Sequence, residues 1–176
     1  MIEDSSKISG VLTDTLKVIE RLKTTSVLMI STPILFTHDY SELIEPVGIL
    51  KAIKDVQAFK KGSKGSQPIA ELLKFGERIL EVPGKRGLNA FSNTKLDDLL
   101  KERKISNVVL AGVVTSVCID STGRDAFERG YKVFILSDCT AGRTSFEQEY
   151  FCNNVFPLYA TVVDHMELLQ QMEEEE

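Results

Sequence analysis

Three features of this chain could together perform nucleophilic chemistry. Cys118 stands at the start of a predicted helix, directly after the apolar run of residues 107–114. Unpaired backbone N–H groups and the positive end of a helix dipole favour a thiolate over a thiol at such a position. Lys85 lies in a Pro-Gly-Lys-Arg-Gly turn, and a cation near a thiol lowers the pKa of that thiol. The turn at residues 112–115 could direct backbone N–H groups at a developing oxyanion, where one donor is typically worth about 3 kcal/mol of barrier.

Each of these residues also has a purely structural interpretation. A lone cysteine is more often a small buried hydrophobe than a nucleophile, and a lysine in a glycine-rich turn is by itself an exposed side chain. The chain has two histidines, and His38 with Asp39 is an incomplete set of metal ligands. The spacing of the three cysteines fits neither a disulfide framework nor a zinc site. The sequence therefore predicts no metal and no cofactor.

Length and composition limit the kind of protein this can be. A chain of 176 residues with 43% hydrophobic and 27% charged residues suits one folded domain, predicted here as residues 1–176. The net charge of -5 and the lack of a basic stripe argue against nucleic acid as a partner. The sequence shows no run of membrane-spanning length and no signal-peptide pattern at its start. With an odd number of cysteines, these features predict a cytoplasmic protein without a membrane partner.

Short apolar segments and helix-like segments alternate along the chain. Strands are predicted at residues 26–31, 78–82, 108–114, 131–136 and 160–163. Helices are predicted at residues 8–23, 68–75, 93–103, 116–129, 145–154 and 166–172, with Thr94 as an N-terminal cap and Gly130 as a C-terminal cap. Residues 36–66 are rich in turn formers and are predicted to form a long functional excursion.

This alternation predicts an α/β fold with a mostly parallel, doubly wound sheet in three layers. Ligands of such sheets bind outside the carboxyl ends of the strands. Cys118 and Lys85 both follow the carboxyl end of a predicted strand. We therefore expect both side chains at one edge of the sheet.

Three segments resemble the isochorismatase-like cysteine hydrolases. Residues 84–96 (Gly-Lys-Arg-Gly-Leu-Asn-Ala-Phe-Ser-Asn-Thr-Lys-Leu) resemble the lysine motif of that family. Residues 111–133, which include Thr-Ser-Val-Cys-Ile-Asp-Ser-Thr, resemble its nucleophile motif, and residues 137–142 (Ser-Asp-Cys-Thr-Ala-Gly) match the strand end that follows. The order and spacing agree over about residues 8–169.

The resemblance implies specific roles for several residues. The family has a doubly wound α/β fold and an Asp–Lys–Cys triad, so Cys118 would be the nucleophile and Lys85 the triad lysine. A cis peptide before the nucleophile loop would fall between Val113 and Val114, and it would place the backbone amides of Val114 and Cys118 in an oxyanion hole. Nicotinamidases of the family hold zinc with an Asp and several His. This chain lacks that set, so zinc is not implied here.

The family's first strand and the triad Asp at its end have no counterpart in the sequence. Asp39 is the alternative acid considered. The resemblance therefore implies an impaired hydrolase acting on a small-molecule amide, imide or vinyl ether. The alternatives are a non-catalytic binding or oligomeric scaffold module and a redox-sensing thiol protein. A missing central strand would also leave open sheet edges, which predicts a homo-oligomer.

Overall fold

The computed structural model describes residues 5–174, with side chains described from residue 10 onward. The chain divides into two compact units, one formed by Met1–Val27 with Leu100–Glu176 and the other by Leu28–Leu99. Each unit has its own set of internal contacts. The assignment of residues 1–176 to one domain stays a prediction.

The first unit is built on a three-stranded parallel sheet. Its strands are β3 (Asn107–Val113), β4 (Lys132–Ala141) and β5 (Thr161–Val163), in the order β3-β4-β5. Val109 pairs with Phe134, and Phe134 pairs with Thr161. The register of β3 against β4 shifts after Leu110, and Gly112 then pairs with Thr140. Because the pairing resumes beyond this irregularity, β4 continues to Ala141 and does not end at residue 136 as predicted.

Four helices accompany this sheet, namely α1 (Ser5–Leu22), α5 (Asp120–Glu128), α6 (Ser145–Tyr150) and α7 (His165–Glu174). The helices α1 and α7 pack against each other and against β4, and α5 also packs against β4. A buried apolar cluster joins β4, β5 and α7 through Leu136, Cys139, Val163 and Leu168. The predicted cap at Gly130 is confirmed, because this glycine has a φ of 90° and its N–H donates to the Phe127 carbonyl at 2.9 Å.

The second unit contains a two-stranded parallel sheet of β1 (Met29–Ser31) and β2 (Ile79–Glu81). Its helices are α2 (Gly48–Asp55) and α3 (Ala70–Leu73), and α4 (Leu96–Glu102) begins near its end. The core of the unit consists of the buried side chains Phe36, Tyr40, Leu43 and Ile53. The Tyr40 hydroxyl donates to the Ala58 carbonyl at 2.6 Å, so the polar end of this buried ring is satisfied.

The predicted fold class is confirmed, since parallel strands and helices alternate along the described chain. Several boundaries were wrong. Residues 36–66 are not only turns, because α2 lies within them and Ile49, Leu50 and Ile53 give it an apolar face at helical spacing. The predicted helix at residues 68–75 is only the single turn α3, because the backbone is still extended at Ile69.

The predicted absence of a first strand concerns the chain before α1, and residues 1–4 lie outside the described residues. Within residues 5–174, β1 pairs only with β2 and β3 pairs only with β4. Both β1 and β3 are therefore edge strands of their own sheets in the described chain. The missing strand itself stays a prediction.

Candidate active site

Cys118 lies in a tight turn between β3 and α5. The strand β3 ends at Val113, and the peptide bond between Val113 and Val114 is cis, as the resemblance predicted. Residues Thr115–Ile119 then form a π-helical turn that leads directly into α5 at Asp120. The residue Cys118 is partly exposed and forms no disulfide. The turn therefore places an unbridged cysteine just after the carboxyl end of a parallel strand, as the sequence predicted.

The backbone of this turn converges on one carbonyl group. The N–H groups of Val117, Cys118 and Ile119 donate to the Val114 carbonyl at 3.1, 3.0 and 3.3 Å. The Cys118 amide thus already has a partner in this structure. The oxyanion hole predicted from the Val114 and Cys118 amides stays a prediction, and in that role the Cys118 N–H would be shared between the Val114 carbonyl and the oxyanion.

The start of the turn is tied to α6. The Ser116 hydroxyl donates to the Glu147 carboxylate, which also accepts from Arg143 Nε at 2.8 Å. Burial raises the pKa of Glu147, but the hydrogen bonds from Ser116 and Arg143 outweigh burial and hold that pKa below its ordinary value. Thr144 caps α6 by accepting from the Glu147 N–H at 3.1 Å. Sequence reasoning missed this link, because nothing in the local pattern connects residues so far apart in the chain.

Lys85 lies in the second unit, and its side chain is not the exposed one that the turn alone predicted. Lys85 is 7% exposed. The preceding Gly84 has a φ of 110°, and a Cβ there would lie 2.3 Å from the Asn93 carbonyl oxygen. Only glycine allows this close approach, which folds the lysine loop back on itself. The Lys85 carbonyl also accepts from the Leu35 N–H at 3.2 Å, so the loop is held on both sides.

A cavity of about 530 Å³ lies beside this lysine loop within the second unit. Its wall contains Gly84 and Arg86, which flank Lys85 in the chain. The remaining lining is apolar apart from two polar side chains and consists of Glu42, Leu43, Ile44, Pro46, Leu50 and Asn93. Arg86 Nε lies 3.8 Å from the Glu42 carboxylate. A cavity of this volume, lined by both polar and apolar groups, is large enough for a small organic molecule.

The other two cysteines have environments that disfavour the thiolate. Burial raises the pKa of Cys139 from 9.0 to about 12 and that of Cys152 from 9.0 to about 11. Cys139 is fully buried in β4, and Cys152 is partly buried just after α6. At neutral pH both thiols are therefore protonated.

Among residues 10–174, one group of side chains could hold a metal ion, namely Asp14, Asp138 and His165, whose ligand atoms lie within 4.8 Å of one another. Asp138 Oδ2 lies 2.5 Å from His165 Nδ1, and Oδ1 accepts from the His165 N–H at 3.0 Å. Asp14 pairs with Lys17 at 2.7 Å. The bonds between Asp138 and His165 cap α7 and join it to β4. Each of the three side chains therefore already has a structural contact.

The acid considered as an alternative, Asp39, lies in an exposed turn of the second unit. Its carboxylate accepts from the Thr37 hydroxyl at 2.9 Å and from the Ser41 N–H at 3.2 Å. These hydrogen bonds hold the pKa of Asp39 below its ordinary value. Asp39 is therefore a carboxylate at neutral pH, and the neighbouring His38 is exposed.

Comparison with known proteins points to one family. The sequence profile of the isochorismatase domain matches residues 1–167. A solved isochorismatase-like hydrolase from Alkaliphilus metalliredigens is 30% identical, with 92% of this chain and 81% of that chain covered and a TM-score of 0.74. A cysteine hydrolase from Pseudomonas syringae has a TM-score of 0.83 with 96% of this chain and 82% of that chain covered. This second structure is 22% identical to the chain, and the similarity shows that the two proteins share a fold.

Curated relatives match over shorter stretches. Nicotinamidase 3 of Arabidopsis thaliana is 29% identical over 63% of this chain and 56% of that protein. Ureidoacrylate amidohydrolase RutB of Methylobacterium radiotolerans is 39% identical over 41% of this chain and 29% of that protein. The chain thus spans about half or less of the length of these relatives.

The profile match and the structural neighbours agree that this chain is an α/β protein with the fold of the cysteine hydrolases. The chain belongs to the isochorismatase family. In the described part of the chain, no helix has the length and apolar character needed to cross a membrane.

Proposed function

We propose that this protein is a cysteine hydrolase that uses Cys118 to cleave a small-molecule amide, imide or vinyl ether. The observation that carries the proposal is the position of Cys118, a partly exposed residue without a disulfide, in the turn that follows β3 in a chain of the isochorismatase family. The same turn leads into the N-terminus of α5, whose dipole favours a thiolate. Lys85 is proposed, from the resemblance, as the cation that further favours this thiolate.

For an amide substrate, the proposed reaction has two steps. The Cys118 thiolate attacks the carbonyl carbon, and backbone N–H groups stabilise the oxyanion that forms. The carbon–nitrogen bond then breaks as the amine leaves with a proton taken from solvent water. Water then attacks the thioester, which releases the carboxylic acid and regenerates the thiolate. An acyl group on sulfur is therefore an obligatory intermediate.

The relatives suggest which substrates to try. Their names indicate amides of small polar molecules, such as nicotinamide, ureidoacrylate and, for a solved structure from Thermoplasma acidophilum, N-carbamoylsarcosine. We propose these amides, with small cyclic imides and a vinyl ether, as the test panel.

The experiment that tests the proposal is mass spectrometry of the protein mixed with each panel compound and quenched in acid. We expect a mass increase equal to the acyl group, located on Cys118 by peptide mapping, for at least one amide. Folded protein that neither acquires this mass nor releases product from any compound would contradict the proposal and would favour a non-catalytic binding module.

Turnover of the present chain is proposed to be slow, because no triad Asp is assigned to accept the thiol proton. Proton transfer by a positioned acid or base is typically worth about 10²–10⁴ in rate. Asp120, the carboxylate nearest to Cys118 in the sequence, is engaged elsewhere, since it binds Arg124 Nε at 2.9 Å and accepts from the Tyr159 hydroxyl at 3.1 Å. If turnover is fast and Asp39→Asn slows it, Asp39 has taken over this role.

The cellular setting is proposed from composition. The three cysteines are free, which supports a reducing compartment such as the cytoplasm. The net charge of -5 gives no electrostatic basis for binding nucleic acid. The proposed partner is therefore a small-molecule substrate.

We also propose that the chain forms a homo-oligomer. Val109 and Val113 on the edge strand β3 are each 43% exposed, which a second copy could cover. Light scattering of the purified protein is expected to give at least the mass of a dimer, and Val109→Lys is expected to shift the population toward monomer. Ile44→Lys, at a residue 88% exposed in the second unit, is the matched control. A well-folded wild-type monomer would contradict this proposal.

A further inference from the structure

The side-chain amide of Gln148, on α6, connects the start of the Cys118 turn to β4. The Thr115 hydroxyl lies 2.5 Å from Gln148 Oε1. On the other side, Gln148 Nε2 lies 2.9 Å from the Ser137 carbonyl and 3.0 Å from Thr140 Oγ1, with Cys152 Sγ at 3.3 Å. One neutral side chain thus joins residues from three separate elements.

The chemistry of these partners fixes the orientation of the amide. The Ser137 carbonyl can only accept, so the NH₂ group of Gln148 must face it. The Thr140 hydroxyl donates to the Leu136 carbonyl at 3.0 Å, which leaves the Thr140 oxygen to accept from the same NH₂ group. The Gln148 oxygen therefore faces Thr115, whose hydroxyl must be the donor.

Thr115 is the residue through which Gln148 acts on the turn. Its side chain is fully buried, and it is the first residue of the π-helical turn that carries Cys118. It directly follows Val114, whose carbonyl collects the amides of Val117, Cys118 and Ile119. Without the Gln148 oxygen, the buried hydroxyl loses its partner, and it would draw the start of the turn toward another acceptor or toward water.

We infer that Gln148 is a positioning residue for the Cys118 nucleophile, which it holds in place by tying Thr115 to β4. The inference rests on the proposed function in so far as it treats Cys118 as the nucleophile. It assigns to α6 a part in the site that neither motif of the sequence indicated.

Two carboxylates beside the turn, Glu147 on α6 and Asp120 on α5, are paired with neighbouring arginines. Glu147 binds Arg143 and Ser116, and Asp120 binds Arg124. A change from Gln148 to a neutral residue leaves these ion pairs unaltered. Its effect on the thiol therefore tests the hydrogen bonds of Gln148 and not a change of charge.

The test is the pH dependence of Cys118 alkylation by iodoacetamide in the folded protein, followed by peptide mass spectrometry. In Gln148→Met the turn no longer holds the thiolate at the N-terminus of α5, so the midpoint of the rate profile is expected to rise by about half a pH unit, about a threefold loss of thiolate. A purely structural role would change the maximal rate of alkylation or the melting temperature of the protein and would leave the midpoint of the pH profile in place.

Matched variants separate the proposed link from general damage. Thr115→Val replaces the hydroxyl with a methyl group and should raise the midpoint as Gln148→Met does. Thr115→Ser keeps the hydroxyl and should have the wild-type midpoint. The double variant of Gln148→Met and Thr115→Val should shift the midpoint no further than either single variant. Phe146→Met places the same new residue at an exposed and uncharged position of α6, and it should leave the midpoint unchanged. A midpoint unmoved in both Gln148→Met and Thr115→Val, or moved equally in Phe146→Met, overturns the inference. If Gln148→Met does not fold, the inference is tested by the difference in midpoint between Thr115→Val and Thr115→Ser, and equal midpoints in these two variants overturn it.

This outcome is independent of the proposed reaction. A shifted midpoint in a protein that turns over no panel compound supports the positioning role and contradicts the hydrolase proposal. Acylation of Cys118 with an unshifted midpoint supports the hydrolase proposal and overturns the positioning role.

Discussion

Replacing Cys118 with alanine is expected to lower hydrolysis of any panel substrate by at least about 10³-fold, and to abolish the acyl intermediate. The thiolate forms the only covalent bond to substrate in the proposed reaction, and loss of a covalent nucleophile leaves only what binding and oxyanion contacts supply. The measurement is steady-state turnover of the wild-type protein and the variant at equal concentration, with product identified by mass.

Cys139→Ala is the control for this experiment. It removes a fully buried thiol from β4, in the apolar cluster with Leu136 and Val163. It should lower the melting temperature modestly and leave turnover per folded molecule within about twofold of wild type, since a small core truncation typically costs about 1 kcal/mol of stability. Retention of more than about a tenth of the wild-type turnover by Cys118→Ala would show that another group attacks the substrate.

Alkylation of the folded protein at neutral pH is expected to modify Cys118 at least about 100 times faster than either other cysteine. Burial raises the pKa of Cys139 to about 12 and that of Cys152 to about 11 from an ordinary 9.0. The thiolate is therefore about a thousandfold scarcer at Cys139 and about a hundredfold scarcer at Cys152 than at an ordinary cysteine. Substoichiometric iodoacetamide followed by peptide mass spectrometry gives the three rates.

The same experiment in urea is the internal control, because unfolding exposes all three thiols and should equalise their rates. A Lys85→Met variant tests the cation proposed from the resemblance. If Lys85 has the proposed role, the variant should slow labelling of Cys118 at neutral pH and leave Cys152 unaffected, since a cation that favours the thiolate would be lost. Equal labelling of all three thiols in the folded protein would contradict an activated Cys118.

Local sequence patterns predicted the fold class and the place of the candidate nucleophile. Short apolar runs alternating with helical periodicity indicated parallel strands with helices between them, because side-chain spacing reflects the period of each element. Cys118 was placed just after a strand by the same local reading, and the cap at Gly130 followed from the freedom of glycine to adopt a positive φ. These features depend on residues within about one turn of each other.

Other features followed only from tertiary contacts. A turn rich in glycine predicted an exposed Lys85, but the chain folds back at Gly84 against Asn93 and buries the lysine. The helix α2 was missed because the turn formers around it outweighed its short apolar face.

The link from Thr115 to Gln148 spans 33 residues of sequence, and no periodic pattern encodes it. Its partners are neighbours because β3 pairs with β4 and α6 lies against the Cys118 turn. Local conformational preference thus determined which elements form and where the cysteine falls among them. The burial of the lysine and the hydrogen bonds that hold the cysteine turn depended on packing, because they form between groups that only the folded chain makes neighbours.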